Sequence, residues 1–182
     1  MNQMAHVVVI LTASLGFRIG ELLPPRVGSR IPHTQKIKRK LLLISNISFT
    51  NENGHFDSVA LYKSIHAQVH FLVRVIKDPK AQMGIIALCT KNKRDRIIGV
   101  EHQHYKTSTL LCPICNMCRY LIHRILVFQK CLHPKDILFV LFAKGQEVIF
   151  PATTMRDTLT RLCEENEFYI IHPHDFKRGV LT

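Results

Sequence analysis

Apolar positions recur along the chain with a spacing that changes from segment to segment. Over residues 4–23, Val7, Ile10, Leu11, Leu15, Ile19, Leu22 and Leu23 fall three and four apart, which lines one face of a helix. Pro24-Pro25 ends it, because proline has no amide hydrogen and disfavours helical geometry in the residue before it. Residues 26–60 show no such period. They hold the basic run Lys36-Ile37-Lys38-Arg39-Lys40, a short apolar run at 41–44 and the turn-forming Asn51-Glu52-Asn53-Gly54, and read as an extended surface insertion with a short strand at most. Residues 69–76 and 85–90 are rich in β-forming side chains, with Asp78-Pro79-Lys80 and Gly84 supplying turn chemistry between them, so the pair predicts a hairpin. The charged tip Lys91-Asn92-Lys93-Arg94-Asp95-Arg96 then leads to a third run at 97–100, giving a small three-stranded antiparallel sheet.

Helical spacing returns at Cys112-Pro113, since proline is preorganised for the first helical position and Ile114, Met117, Leu121, Ile125 and Phe128 share a face. That helix should reach about residue 130. Residues 138–142 form a short apolar segment closed by Lys144-Gly145. Pro151 precedes a further helix, with Thr154 and Asp157 at the spacing of a capping box and Met155, Leu159 and Leu162 inward. Pro173-His174-Asp175 restarts helical structure, with Asp175 as its cap. The fold class is α+β, mainly helical.

A length of 182 residues with 47% hydrophobic content supports one continuous core and excludes a disordered tail. No repeat or low-complexity segment marks a second domain. Charge adds more: 25 Lys and Arg against 13 Asp and Glu give a formal +12. Such an excess favours polyanions, nucleic acid above all, because each neutralised phosphate releases condensed counterions. The apolar run at residues 6–15 is too short to span a bilayer and lacks a basic leader, so no membrane partner is expected. Six cysteines (89, 112, 115, 118, 131 and 163) lie among helical and strand-like patterns, which points to reduced thiols and an intracellular setting.

Two segments carry the candidate chemistry. Leu15-Gly16-Phe17-Arg18-Ile19-Gly20-Glu21-Leu22-Leu23 sets an arginine in an apolar stripe with a glutamate one turn later, and His174-Asp175-Phe176-Lys177-Arg178-Gly179 sets a histidine three residues before a cation. Together they suggest a split phosphate site. Read alone, the first is equally a structural Arg18–Glu21 pair at a helix end.

The full pattern resembles the active-site boxes of the tyrosine recombinases, usually Gly-x-Arg-x-x-Glu-Leu and His-x-x-Arg. The order of Tyr62-Lys63-Ser64-Ile65, Thr90-Lys91-Asn92, Leu111-Cys112-Pro113-Ile114 and Lys177-Arg178-Gly179 between and beyond the boxes is similar to the fungal branch of that superfamily, which includes FluG-domain proteins, the captain recombinases of giant mobile elements and the Crypton type. The resemblance covers about residues 10–182 and implies a catalytic domain of that kind. It implies double-stranded DNA as partner, a recombinase multimer on DNA at full length, a nuclear location, and no cofactor or metal. In such enzymes a tyrosine attacks a phosphodiester while cations hold the nonbridging oxygens. Arg18 takes the place of the first arginine, Lys91 that of the lysine that protonates the leaving oxygen, and His174 that of the box-two histidine. Lys177 stands where the second arginine is expected and offers a point charge instead of a planar fork; the adjacent Arg178 is the other candidate for that role, although on a helix it points about 100° away.

The nucleophilic tyrosine and a third, histidine-containing box would follow His174, where four residues remain after Arg178, and none of Tyr62, Tyr105, Tyr120 or Tyr169 lies there. An amino-terminal DNA-clamping domain has no room either. Residues 4–182 therefore read as an incomplete recombinase-like catalytic domain, inactive as written. Two other readings stay open: a noncatalytic basic nucleic-acid-binding module, and a zinc-stabilised one. The second rests on Cys112-x-x-Cys115-x-x-Cys118 with His123 and Cys131 downstream. Against it, all three cysteines fall on a continuous predicted helix, where successive thiols are rotated by about 300°, so small apolar residues entering a core are the preferred account.

Overall fold

A computed structural model describes residues 3–24, 41–88, 95–102, 108–143 and 145–167. The protein is α+β, about half of it helical, and divides into two compact units.

The first unit comprises Leu43–Ala87 and Asp95–Leu138. A 3-10 turn at Ile44–Asn46 leads into β1 (Ile47–Thr50), and a tight turn returns the chain as β2 (Phe56–Asp57). The Asn51 carboxamide closes this turn by accepting from the Asn53 and His55 N–H groups. Helix α3 (Ile65–Lys77) follows, then β3 (Gln82–Leu88), β4 (Asp95–Glu101) and helix α4 (Pro113–Phe128). The sheet has four strands in the order β2-β1-β3-β4, with Ile47 opposite Ile85 and Phe49 opposite Met83 in the antiparallel β1–β3 pair. Ile47, Phe49, Met83, Ile85 and Ala87 are buried, whereas Gln82 and Ile86 are exposed. That alternation of period two marks a sheet covered on one face. Phe71 of α3 meets Phe49 edge-on at 6.3 Å and stacks on Tyr62 at 4.5 Å, and α3 packs against α4.

Two expectations are corrected here. Residues 69–76 are helical, not the first strand of a hairpin. Ser64 caps α3 by accepting from the Ala67 N–H, and Gln68, Phe71, Leu72 and Val75 form its buried face at the i, i+3, i+4, i+7 spacing. Burial of that face overrides the strand preference of Val69, Val73 and Ile76. Residues 41–60 are likewise no surface insertion: β1 is an inner strand of the sheet, which has four strands instead of three. The rest of the stretch taken as an insertion, residues 26–40, lies outside the described residues.

The second unit comprises Met1–Leu42, Leu88–Arg94 and Phe139–Thr182. Its described elements are α1 (Gln3–Leu15), α2 (Ile19–Leu22), the hairpin β5 (Val140–Ala143) and β6 (Gln146–Ile149), and α5 (Ala152–Glu165). The helix expected over 4–23 is broken in two. Gly16 takes φ +64, the left-handed geometry that closes a helix and that glycine adopts without steric cost. α1 buries Met4, Ala5, Val7, Val8, Ile10, Leu11 and Thr12, more than a single stripe. The run at 138–142 finds its partner in β6 across a turn at Gly145, φ +77. α5 begins one residue after Pro151, so Thr154 and Asp157 lie inside the helix and make no capping box; Thr154 instead accepts from the Thr158 hydroxyl. The buried face of α5 is Met155, Leu159 and Cys163, with Leu162 half-buried. The Ala152 N–H donates to the Pro24 carbonyl at 2.8 Å, tying the start of α5 to the end of α2.

Candidate functional site

Arg18 occupies the break between α1 and α2 and is exposed, so the expectation that it lies in a buried stripe does not hold. Its backbone is extended, φ −79 and ψ 142, and its neighbours Phe17 and Ile19 are both buried. Successive side chains of an extended segment point to opposite sides, so two apolar anchors turn the guanidinium outward. The Glu21 carboxylate accepts from the Arg18 backbone N–H at 2.8 Å, filling an orphan donor at the start of α2. Among the described residues the ion pairs are Arg74–Glu52 and Arg161–Glu165, and the Arg18–Glu21 side-chain pair that spacing suggested is not one of them. The other residues assigned to the phosphate site, Lys91, His174, Lys177 and Arg178, lie outside the described residues.

A second cluster forms where β4 hands over to α4. Cys112 is the residue before the helix, with extended geometry at φ −71 and ψ 119, and Pro113 takes the first helical position. Cys112 is therefore not part of a continuous helix with the other two cysteines. Cys112 and Cys115 both turn toward His102, which directly follows β4: Cys112 Sγ lies 3.4 Å and Cys115 Sγ 3.8 Å from His102 Nδ1. One ligand atom from each of the three falls within 4.8 Å of the others. Both cysteines are fully buried and the histidine is half-buried.

The surroundings hold this cluster in place. His102 Nε2 lies 2.9 Å from the Val75 carbonyl of α3. A carbonyl only accepts, so Nε2 carries the hydrogen and, in the neutral ring, Nδ1 presents its lone pair to the thiols. The buried Asn116 carboxamide donates to the carbonyls of Leu110 and Cys112, at 2.8 and 2.9 Å, and so fixes the turn that presents Cys112. Burial lowers the His102 pKa, but the hydrogen bonds to Cys112 and Val75 outweigh it and leave it raised. Burial, followed by the proximity of Cys112, pushes the Cys115 thiol up to about 12. Cys118, one turn further into the core, is also pushed well up by burial. None of the five described cysteines is part of a disulfide. His102 lies ten residues before Cys112, so the Cys-x-x-Cys spacing gave no signal for it. His123 and Cys131, which spacing had suggested as further ligands, are not part of the cluster.

The first unit also carries an open cleft of about 320 Å³ between the β1–β2 turn and α3, lined by Glu52, Tyr62, His66, His70, Phe71 and Arg74. Its cation is already engaged: Arg74 donates to the Thr50 carbonyl at 3.0 Å, pairs with Glu52 at 3.8 Å and covers the Phe71 ring at 5.3 Å. Among the described residues, no helix is long and apolar enough to cross a membrane. Comparison of the chain with models of protein families, with curated proteins and with solved structures finds no match.

Proposed function

We propose that this chain is a double-stranded-DNA-binding domain of the tyrosine-recombinase kind, in which Arg18 supplies a cation to a backbone phosphate. The supporting observation is the display of Arg18: anchors on either side, an exposed side chain, and a Glu21 carboxylate bonded to its backbone N–H. A guanidinium so held can meet two phosphate oxygens at once. The +12 charge supplies the general attraction to DNA. In this reading Lys91 and His174 stand where a complete recombinase of that kind would protonate the leaving 5′-oxygen and assist proton transfer, and here they contact the intact phosphate together with Lys177 or Arg178, which holds its far side. None of the chain's four tyrosines follows His174, so these 182 residues bind DNA without forming a covalent link to it.

The test is fluorescence anisotropy of a labelled duplex over a range of salt concentrations, comparing the wild type with Arg18→Ala and with Arg161→Ala, an exposed arginine paired to Glu165. Arg18→Ala should weaken binding and flatten the slope of log affinity against log salt by about 0.9, the share of one phosphate contact. Arg161→Ala should leave both nearly unchanged. Equal effects of the two substitutions would reduce Arg18 to one basic surface residue among many and favour the noncatalytic basic module. A suicide DNA substrate tests the second half: an adduct abolished by changing one of the four tyrosines would overturn it.

A further inference from the structure

We propose that His102, Cys112 and Cys115 form a binding site for a single zinc ion, coordinated through His102 Nδ1 and the two Sγ atoms. The spacing of the ligand atoms supports this. Around a tetrahedral zinc with bonds of about 2.3 Å to sulfur and about 2.05 Å to nitrogen, a sulfur and a nitrogen stand about 3.6 Å apart. The two observed separations, 3.4 and 3.8 Å, bracket that value. A second observation is independent of the thiols. A metal-binding histidine characteristically donates its remote N–H to a carbonyl or carboxylate, which fixes tautomer and ring plane, and the Val75 carbonyl meets His102 Nε2 at 2.9 Å.

The donor set selects the ion. Two thiolates and an imidazole suit zinc and are poor ligands for magnesium or calcium, which take oxygen. On binding, each thiol releases its proton to solvent, giving a complex of net charge zero at the ion. The ligands come from the end of β4 and the start of α4, and His102 is oriented by α3. The ion therefore acts as a staple within the unit that contains the four-stranded sheet.

The full 182-residue chain, purified anaerobically with reductant and equilibrated with zinc, provides the test. Elemental analysis after gel filtration should find one zinc per chain in the wild type and in Cys163→Ser, and none in Cys115→Ser or His102→Ala. Titration of the metal-free wild type with cobalt covers the case in which a variant fails to fold. A thiolate-to-cobalt charge-transfer band with tetrahedral visible bands, saturating at one equivalent and displaced by zinc, supports the site. The proposal is overturned by a wild type that retains no zinc and gives no such band, by zinc retained in both ligand variants, or by a Cys112–Cys115 disulfide in the anaerobically purified chain.

Discussion

Replacing Gln68 with leucine should cost the fold about 2–4 kcal/mol, a large share of the roughly 5–15 kcal/mol that holds a typical domain together. Gln68 is fully buried in α3. Its Nε2 donates to the carbonyls of Tyr62 and Leu132, both at 2.9 Å, and its Oε1 accepts from the Leu132 N–H at 2.9 Å. The carboxamide thus pairs with Leu132 in both directions, much as a neighbouring strand would. Leucine keeps similar bulk but removes all three bonds. The buried N–H and C=O of Leu132 then lose their partner at about 1–3 kcal/mol each, while the half-buried Tyr62 carbonyl can turn to water. The gain from burying an apolar side chain offsets part of that sum. Urea unfolding followed by circular dichroism should show a lower midpoint at unchanged slope. A loss below about 1 kcal/mol would refute the assignment of Gln68 as the link between α3 and the segment leaving α4. Gln68→Glu adds a check of sign. It keeps the acceptor but sets a carboxylate against two carbonyls, so the folded carboxyl pKa lies above its unfolded value of about 4.3. Its destabilisation should therefore be smallest below that pH and grow as pH rises toward the folded pKa.

Tyr62 offers a titration experiment at the other end of the scale. Burial, then the neighbouring Asp57 carboxylate, raises its pKa above the ordinary tyrosine value, so its stabilising contribution is complete below about pH 10 and lost as pH rises through the folded pKa; ultraviolet titration should show a late tyrosine that shifts earlier in Asp57→Asn. At Gly145, which holds φ +77 and has room for a Cβ, alanine should cost about 1–2 kcal/mol from backbone strain alone. A melting temperature unchanged to within a degree would count against the hairpin turn described between β5 and β6.

The legible and illegible parts of the chain differ for physical reasons. α4 was readable because Pro113 fixes its first turn and Ile114, Met117, Leu121 and Ile125 keep a strict spacing. β3 and β4 were readable because their strand-forming residues also end up in strands. α3 was not: Val69, Val73, Val75 and Ile76 have strand preferences that only burial of Phe71, Leu72 and Val75 against the rest of the unit overrides. The helical stripe was also hidden by Gln68, a polar residue paired in both directions with Leu132, 64 positions away. At Arg18 the sequence marked the right residue with the wrong surroundings. A glutamate three positions on suggests an ion pair, whereas Gly16 breaks the helix there and turns that carboxylate to the backbone. The His102 cluster depends on a histidine separated from its cysteines by a loop and on a main-chain carbonyl, and neither has a spacing to detect.

The carbonyl that orients His102 has a history in the helix it belongs to. Val75 would normally accept from the amide four residues on, and that residue is Pro79, which has no hydrogen to give. The end of α3 therefore leaves an acceptor open, and the imidazole fills it at 2.9 Å. Substituting Pro79 with a residue that carries an amide hydrogen would create a competitor for the same oxygen, so a ring-closed residue at a helix terminus helps decide which nitrogen of a histidine beyond the next two strands holds its proton.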